Sequence, residues 1–478
     1  MLRTVLARPV RAAVLAGGFG FGIAVMAALL GVGEVIVEQS RAPALRGGGD
    51  LVVTGRAGDV HGARFLLSSV LGAPPLAARA RGVSPTVRDT LYLVQGDRLT
   101  RVRARGGVPS LERAVGDPET APVAAWQDAP ADRAWSAPRP EDVLRAMDRF
   151  HAIPDVPDRA ASWAEWLYFN GRSPDGSLRF YLTFMAGPRQ QGGARAAGVR
   201  FQLEEEGTVR SFSARADVAE ATLLARAPDM EVGANRVRLD GLRYTVTLDL
   251  AADGGGRGLT GEITLDAAPG RSVPPFVVRG RGGWLSGYVV PVLSGEVAGT
   301  LRVGSRDVSL RGATGYHDHN WGFWEGVSWQ WGQVSHEGLS FLYGRIVPPA
   351  DAFPPGQAAR LPGIVAVVGP SGPLAFARNA VIEETSSAAG RPEVVRIAAR
   401  ERGLDLQMEA RVEDVVRTRV GGAGPASAGG RDFLQLRASY RVRGRVGGQA
   451  VDFSALGAAE TFRATGLSRT RARASAPR

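Results

Sequence analysis

Apolar and polar residues alternate in short runs along most of the chain after residue 163. The clearest run covers residues 244–250, where tyrosine, valine and leucine alternate with threonine and aspartate. A period of two predicts a strand with one buried face, and glycine-rich turns separate one such run from the next. Because helical periodicity is scarce in this part of the chain, the pattern predicts antiparallel barrels or sandwiches.

The chain before residue 163 follows a different pattern. Residues 91–102 predict a hairpin with a short glycine-containing turn. The proline-containing stretch 125–140 predicts a linker, and residues 141–150 place three apolar side chains on one face of a short helix. We therefore expect a small α+β segment ahead of the β-rich part of the chain.

The N-terminus predicts where the rest of the chain resides. Arg3, Arg8 and Arg11 precede an uncharged run over residues 12–33, close to the roughly 20 residues that a membrane helix needs. Positive residues ahead of such a span predict a cytoplasmic start and an exported bulk. We expect a single uncleaved span in the inner membrane with a periplasmic bulk. The alternative is a signal peptide cleaved near residues 42–44, which would give a secreted protein.

These patterns divide the sequence into five parts. The second β-rich unit begins near Val327, and the end of the chain carries almost no apolar residues, which is typical of a disordered segment. The predicted parts are an N-terminal membrane anchor or signal segment (1–40), an exported segment of unknown role (41–145), a first barrel (146–326), a second barrel (327–465) and a disordered basic tail (466–478).

Composition excludes several kinds of chemistry. The 58 basic residues are all arginine, because the sequence contains no lysine, and this excludes Schiff-base lysines and a Walker-type phosphate loop. The absence of cysteine excludes thiol catalysis, iron–sulfur clusters and cysteine-based zinc sites. The net charge of +11 comes from scattered arginines, so we expect no nucleic-acid partner.

Residues that can perform chemistry converge in one segment, residues 315–332. It contains His317 and His319, with His336 close behind, and four of the nine tryptophans. The two histidines share one face of an extended strand, where a metal is one interpretation if Asp318 or His336 completes the set. The other interpretation is that these histidines bond to backbone groups where two barrels join. We expect no metal and no cofactor.

The opposite face of the same strand carries Tyr316, Asp318 and Asn320. A carboxyl group among tryptophans loses solvation, so its pKa rises and it stays protonated closer to neutral pH. Such an acid can protonate an alkene, and aromatic faces then stabilise the carbocation. Alternatively, Asp318 accepts hydrogen bonds that fix the strand. Glu165, in a second aromatic cluster over residues 163–171, either faces a cavity or pairs with an arginine.

Three motifs resemble the carotenoid 1,2-hydratase (hydroxyneurosporene synthase) and AttH lipocalin-like superfamily. Residues 165–171 read Glu-Trp-Leu-Tyr-Phe-Asn-Gly, residues 315–322 read Gly-Tyr-His-Asp-His-Asn-Trp-Gly, and residues 457–463 match the usual end of the second barrel. The resemblance covers about residues 160–465. It implies an all-β fold of two tandem lipocalin-like antiparallel barrels that can hold an apolar ligand.

The resemblance also implies roles for individual residues. Asp318 would be the proton donor, with Tyr316 as its neighbour. The candidate ligand-binding residues are Trp166, Tyr168, Asn170, Trp284, Tyr288, His317, His319, Asn320, Trp321, Trp324, Trp329 and Trp331. We expect a membrane-anchored protein that binds a carotenoid, isoprenoid or lipid-like ligand and acts as a cofactor-free hydratase or cyclase. The alternative is a non-catalytic carrier that works with a transporter permease.

Overall fold

The computed structural model describes residues 52–53, 60, 62–72, 80, 82–116, 125–136, 138–357, 361–420 and 430–464. The apolar run 12–33 and the basic tail 466–478, for which we predicted an anchor and disorder, lie outside these residues. None of the helices in the described ranges has the length and apolar character that crossing a bilayer requires. The chain divides into two compact units, the second comprising His61–Ser69 and Pro138–Arg478.

The first unit contains the predicted hairpin. Its strands, β1 (Thr86–Gln95) and β2 (Arg98–Gly107), pair antiparallel along their full length. Short helical segments replace part of the predicted linker. The described helices of both units are α1 (Ala63–Gly72), α2 (Pro109–Ala114), α3 (Arg133–Ser136), α4 (Pro140–Met147) and α5 (Glu220–Arg226), with 3₁₀ turns at Pro130–Asp132, Pro157–Ser162 and Ala350–Ala352.

The first barrel is formed by eight antiparallel strands in the order β3, β4, β5, β6, β9, β10, β12, β14, and β14 returns to β3. The pairing of β6 with β9 is short, with two residue pairs. The strands of this sheet are β3 (Trp163–Arg172), β4 (Leu178–Arg189), β5 (Ala194–Glu205), β6 (Thr208–Ala219), β7 (Met230–Val232), β8 (Asn235–Asp240), β9 (Arg243–Ala252), β10 (Leu259–Asp266), β11 (Val273–Arg279), β12 (Leu285–Val303), β13 (Arg306–Ser309) and β14 (Ala313–Phe323).

The second barrel closes in simple sequence order, with β22 pairing back to β15. Its core is a separate cluster of apolar side chains, whereas the core of the first barrel continues into the contact between the barrels. The predicted fold of two tandem antiparallel barrels is confirmed. The strands of the second barrel are β15 (Ser328–His336), β16 (Leu339–Val347), β17 (Gly363–Gly369), β18 (Gly372–Ser386), β19 (Pro392–Glu401), β20 (Leu404–Val420), β21 (Arg431–Val446) and β22 (Gln449–Ala464).

Strand β14 lies between β3 and β12 and is buried on both faces from Gly315 to Phe323. Successive side chains of a strand point to opposite sides of the sheet. One face therefore looks into the first barrel, and the other looks toward the second barrel, where Trp331 contacts Tyr316. This double burial explains why polar and aromatic residues are so closely interleaved in this segment.

Helix α4 is shorter than the sequence predicts. The pattern suggested a helix over residues 141–150, but the helix begins at Pro140 and ends at Met147. Asp148 follows the helix and is fully buried. Tyr244 and two histidines bond to its carboxylate. These bonds replace the solvation that the carboxylate loses on burial.

Candidate functional site between the two barrels

Asp318 is the centre of a buried polar site at the contact between the barrels, which we call the inter-barrel site. Its side chain is 2% exposed. The Tyr316 hydroxyl donates to Oδ2 at 2.7 Å, and the Asn320 amide donates to Oδ1 at 2.6 Å. The indole N–H of Trp331 donates to the Tyr316 hydroxyl at 2.8 Å. As their alternate positions predict, these three residues of β14 share one face.

The second barrel contributes a carboxyl group that the sequence analysis did not select. Glu460 of β22 accepts a hydrogen bond from Trp329 Nε1 at 2.8 Å. It is the cross-strand partner of Trp331, and its side chain lies on the same outward face of the second barrel. The sequence feature that could have identified Glu460 is a single acidic residue that follows three small residues, in Gly-Ala-Ala-Glu-Thr-Phe.

Burial changes the protonation of both carboxyl groups. Loss of solvation raises the pKa of Asp318 to about 6, although the hydrogen bonds from Tyr316 and Asn320 act in the opposite direction. Burial, followed by the charge of Asp318, raises the pKa of Glu460 to about 8. The two groups titrate as a pair. The site therefore retains at least one proton at neutral pH.

Most of the predicted ligand-binding aromatic residues gather around this pair. The ring centroids of Trp166 and Trp324 are 4.4 Å apart, and those of Tyr288 and Trp331 are 5.7 Å apart. Tyr168 lies 6.5 Å from Tyr316 by the same measure. The predicted residues on this side of the sheet are Trp166, Tyr168, Asn170, Tyr288, Asn320, Trp324, Trp329 and Trp331.

Four predicted ligand-binding residues lie elsewhere, and the structure does not bring them to Asp318. Trp284 donates to the backbone carbonyl of Phe323 at 2.9 Å. Trp321 stacks on His151 with ring centroids 3.9 Å apart and packs over Gly287, where any Cβ would meet its ring. His317 and His319 point into the first barrel, on the face of β14 opposite Asp318.

Inside the first barrel, His317 and His319 belong to a buried histidine–carboxylate network. His319 lies between two carboxylates, with Nδ1 2.7 Å from Asp148 Oδ1 and Nε2 3.1 Å from Glu165 Oε1. His317 Nε2 is 3.1 Å from the other oxygen of Asp148. His151 Nδ1 is 2.8 Å from Glu165 Oε1. The histidines thus bond to acidic side chains, and not only to the backbone.

Arginine completes this network, as one of the two interpretations of Glu165 predicts. Arg195 is fully buried and lies 3.4 Å from Glu165 Oε2. It also donates to Glu220 Oε1 at 2.7 Å and to the carbonyl of His151 at 2.8 Å. Glu165 therefore does not project into an open cavity; its charge is balanced by Arg195 and His319.

The network fixes the charges of its members. Burial opposes ionisation of Asp148, but hydrogen bonds and charge from His317 and His319 hold its pKa well below the usual range. Burial opposes ionisation of Glu165 too, yet bonds from His151 and His319 lower its pKa to about 2. Burial alone would lower the pKa of His319, but its two carboxylate partners raise it to about 9. His319 is therefore an imidazolium at neutral pH.

His151, Glu165 and His319 are also close enough to ligate one metal ion, with candidate ligand atoms within 4.8 Å of one another. In the described arrangement, both ring nitrogens of His319 already bond to carboxylates. An ion would have to replace the proton that holds Glu165 to His319. Asp318 and His336, which the sequence suggested as further ligands, do not belong to this set.

Comparison with solved structures gives several matches, among them three of similar extent. A protein assigned as AttH from Nitrosomonas europaea is 16% identical, with 65% of this chain and 97% of that chain covered and a TM-score of 0.40. CghA with Sch210972 is 14% identical, with coverages of 68% and 95% and a TM-score of 0.44. Kievitone hydratase from Nectria haematococca is 12% identical, with coverages of 66% and 94% and a TM-score of 0.41.

The matched structures include a protein assigned as AttH, the superfamily whose motifs the sequence resembles. No family model matches the sequence, and no curated protein matches it either. At these identities and TM-scores the matches carry no argument about activity, and the chemistry has to be argued from the side chains of the inter-barrel site.

Proposed function

We propose that the inter-barrel site is a cofactor-free acid that protonates an alkene of a hydrophobic, isoprenoid-like ligand and so starts its hydration or cyclisation. The observation that carries this proposal is the environment of Asp318. The carboxyl group is buried among aromatic rings, and no arginine within the described residues forms an ion pair with it. A buried carboxyl group without a cationic partner favours its protonated, acidic form.

Tyr316 connects this acid to solvent-accessible space. The tyrosine lines a cleft between the barrels, whereas Asp318 lies behind it. In the proposed step, Asp318 is protonated and its carboxyl O–H donates to the Tyr316 oxygen, the reverse of the hydrogen bond described above. The Tyr316 hydroxyl gives its proton to an alkene carbon while Asp318 reprotonates the tyrosine oxygen. The alkene electron pair forms the new C–H bond and leaves a carbocation. The Trp331 N–H bond to the tyrosine oxygen stabilises the negative charge that develops there.

The carbocation is consumed without any cofactor. In hydration, water forms a C–O bond with the cation and its extra proton returns to the Asp318 carboxylate. In cyclisation, a second alkene of the ligand attacks the cation, and a neighbouring C–H bond later breaks, its electron pair forming a new alkene and its proton returning to the Asp318 carboxylate. Trp329 and Trp331 lie next to Glu460 and Tyr316, and aromatic rings stabilise nearby cations by about 1–2 kcal/mol each when water is excluded.

Solvent deuterium tests this proposal directly. Protein in D₂O is incubated with geranylgeraniol, squalene or lycopene, and products are examined by mass spectrometry for deuterium bound to carbon. We expect incorporation with at least one of these ligands, and the same incorporation after dialysis against EDTA. The control is Asp266→Asn, which changes an exposed carboxylate paired with Arg243 and leaves the site intact. If ligands bind tightly but are recovered without deuterium, the result would support a non-catalytic carrier and would contradict the proposed protonation of an alkene.

The dependence of the rate on pH distinguishes the two carboxyl groups. If Asp318 supplies the proton, the rate is highest below about pH 6 and falls as pH rises, because the pKa of Asp318 is about 6. If Glu460 supplies it, the fall occurs near pH 8. We expect the midpoint near pH 6 in the wild type and in Glu460→Gln, measured as initial rates of deuterium incorporation. A midpoint near pH 8 that disappears in Glu460→Gln would assign the proton to Glu460.

A further inference from the structure

The cleft that Tyr316 lines contains two arginines. Arg172 at the end of β3 and Arg179 at the start of β4 are cross-strand partners, and both side chains line the cleft together with Asn170 and Gln333. The cleft has a volume of about 50 Å³. This is room for a small polar group or a few water molecules, and not for a whole polyene. We call this place the arginine cleft.

Arg179 is an unusual arginine because it is buried without an ion pair. Its side chain is 3% exposed, and its Nε has no hydrogen-bond partner. The carboxylate nearest to it in the sheet is Glu204, its cross-strand partner in β5, but the two groups do not come within the 4 Å of an ion pair. Glu204 lies 3.5 Å from Arg437 of the second barrel instead. The charge of Arg179 acts on Glu204, and its side chain bonds to Tyr181, but its Nε is left without a partner, which is costly for a buried group.

Arg172 increases this cost. It is half-buried, and none of the ion pairs among the described residues includes it. Burial, and then the neighbouring charge of Arg179, lowers the pKa of Arg172. Two guanidinium groups on adjacent strands repel each other, and an anion between them would offset the repulsion and accept a hydrogen bond from the unpartnered Nε of Arg179.

We propose that the arginine cleft is a subsite for the carboxylate group of the ligand. Guanidinium groups bind carboxylates through two parallel N–H···O bonds, and Arg179 keeps its Nε free for such a pair. Along β14, the position opposite Arg172 is Thr314, two residues from Tyr316, whose hydroxyl is the proposed proton donor. At about 3.4 Å per residue, this separation is about 7 Å along the strand. The ligand is therefore an apolar chain with a carboxylate about 7 Å from the alkene that reacts; this last part rests on the proposed function.

A fluorescent polyene acid and its ester test the subsite without any need for turnover. cis-Parinaric acid and its methyl ester share the same apolar chain and differ only in the negative charge. We expect the wild-type protein to bind the acid at least tenfold more tightly than the ester in fluorescence titrations. The double variant Arg172→Gln/Arg179→Gln is expected to lose this preference and to keep its affinity for the ester.

Three further proteins make the result decisive. Arg172→Gln alone retains the buried arginine, so it keeps the fold and is expected to lose part of the preference. Arg243→Gln, an exposed arginine paired with Asp266, is expected to keep all of it. Asp318→Asn is also expected to keep it, so that failure of the catalytic proposal does not affect this test. Equal affinities of the wild type for acid and ester, no binding of the acid, or an unchanged preference in both arginine variants would overturn the proposal.

Discussion

Replacing Asp318 by asparagine is expected to reduce the rate of deuterium incorporation by about 10²–10⁴-fold, the usual contribution of a general acid. Asparagine has nearly the same shape and keeps an oxygen that can accept from Tyr316, but it has no acidic proton to pass on. Asp318 is 2% exposed and bonds to neutral donors on both oxygens, so its loss leaves no unpaired cation behind. Initial rates with the wild type and the variant measure the effect.

Binding must be measured beside turnover. We expect an apolar ligand to quench the tryptophan fluorescence of Asp318→Asn as much as that of the wild type, because Trp166, Trp324 and Trp329 remain in place. Tyr316→Phe should lower the rate as well, since it removes the oxygen that lies between Asp318 and the cleft. A variant with asparagine at position 318 that turns over as fast as the wild type would show that Asp318 serves only to hold β14.

Replacing Asp148 by asparagine is expected to destabilise the second unit by about 3–5 kcal/mol, the range found when one member of a buried ion pair is removed. Asp148 is fully buried and bonds to Tyr244, His317 and His319. Its loss leaves the imidazolium of His319 with one carboxylate in place of two. In a unit of this size, the change corresponds to a fall in Tm on the order of 10 °C.

Thermal unfolding of the variant and of a matched control measures this effect. Asp307→Asn removes an exposed carboxylate that pairs with Arg302, so we expect it to change stability by less than about 1 kcal/mol. The pKa of His319 is raised to about 9, so its contribution to stability is complete below about pH 6.5 and is lost as pH rises through 9. Asp148→Asn should weaken this dependence. Equal Tm values for Asp148→Asn and the wild type would contradict the stabilising role of the ion pair between Asp148 and His319.

Local patterns predicted the architecture and one face of the site. Alternation of apolar and polar residues is a property of neighbouring positions, so it was enough to identify the strands and to place Tyr316, Asp318 and Asn320 side by side. The same alternation put His317 and His319 on the opposite face. It could not show what either face contacts, because each contact comes from a distant part of the chain.

Long-range partners account for what the sequence did not reveal. Asp148 lies about 170 positions before His319 and was assigned to a helix, since the helical pattern around it does not end clearly before residue 148. Glu460 reaches the site only because the second barrel closes through β15 and β22. Trp284 and Trp321 have the same side chain as the tryptophans around Asp318. Trp321 has the same parity as His317 and His319 along β14, so alternation alone places it on the face opposite Asp318, and Trp284 lies immediately before β12.

The residues on the two faces of β14 can be substituted independently of each other during evolution. The side chains at positions 317 and 319 bond inside the first barrel, while those at positions 316, 318 and 320 form the inter-barrel site. Because neighbouring residues of one strand point in opposite directions, a lineage can exchange the acid and keep the histidines without unfolding. An enzyme and an inert binding protein can then differ by a single codon on the same scaffold, so sequence similarity across the whole chain is a poor guide to which of them a descendant has become.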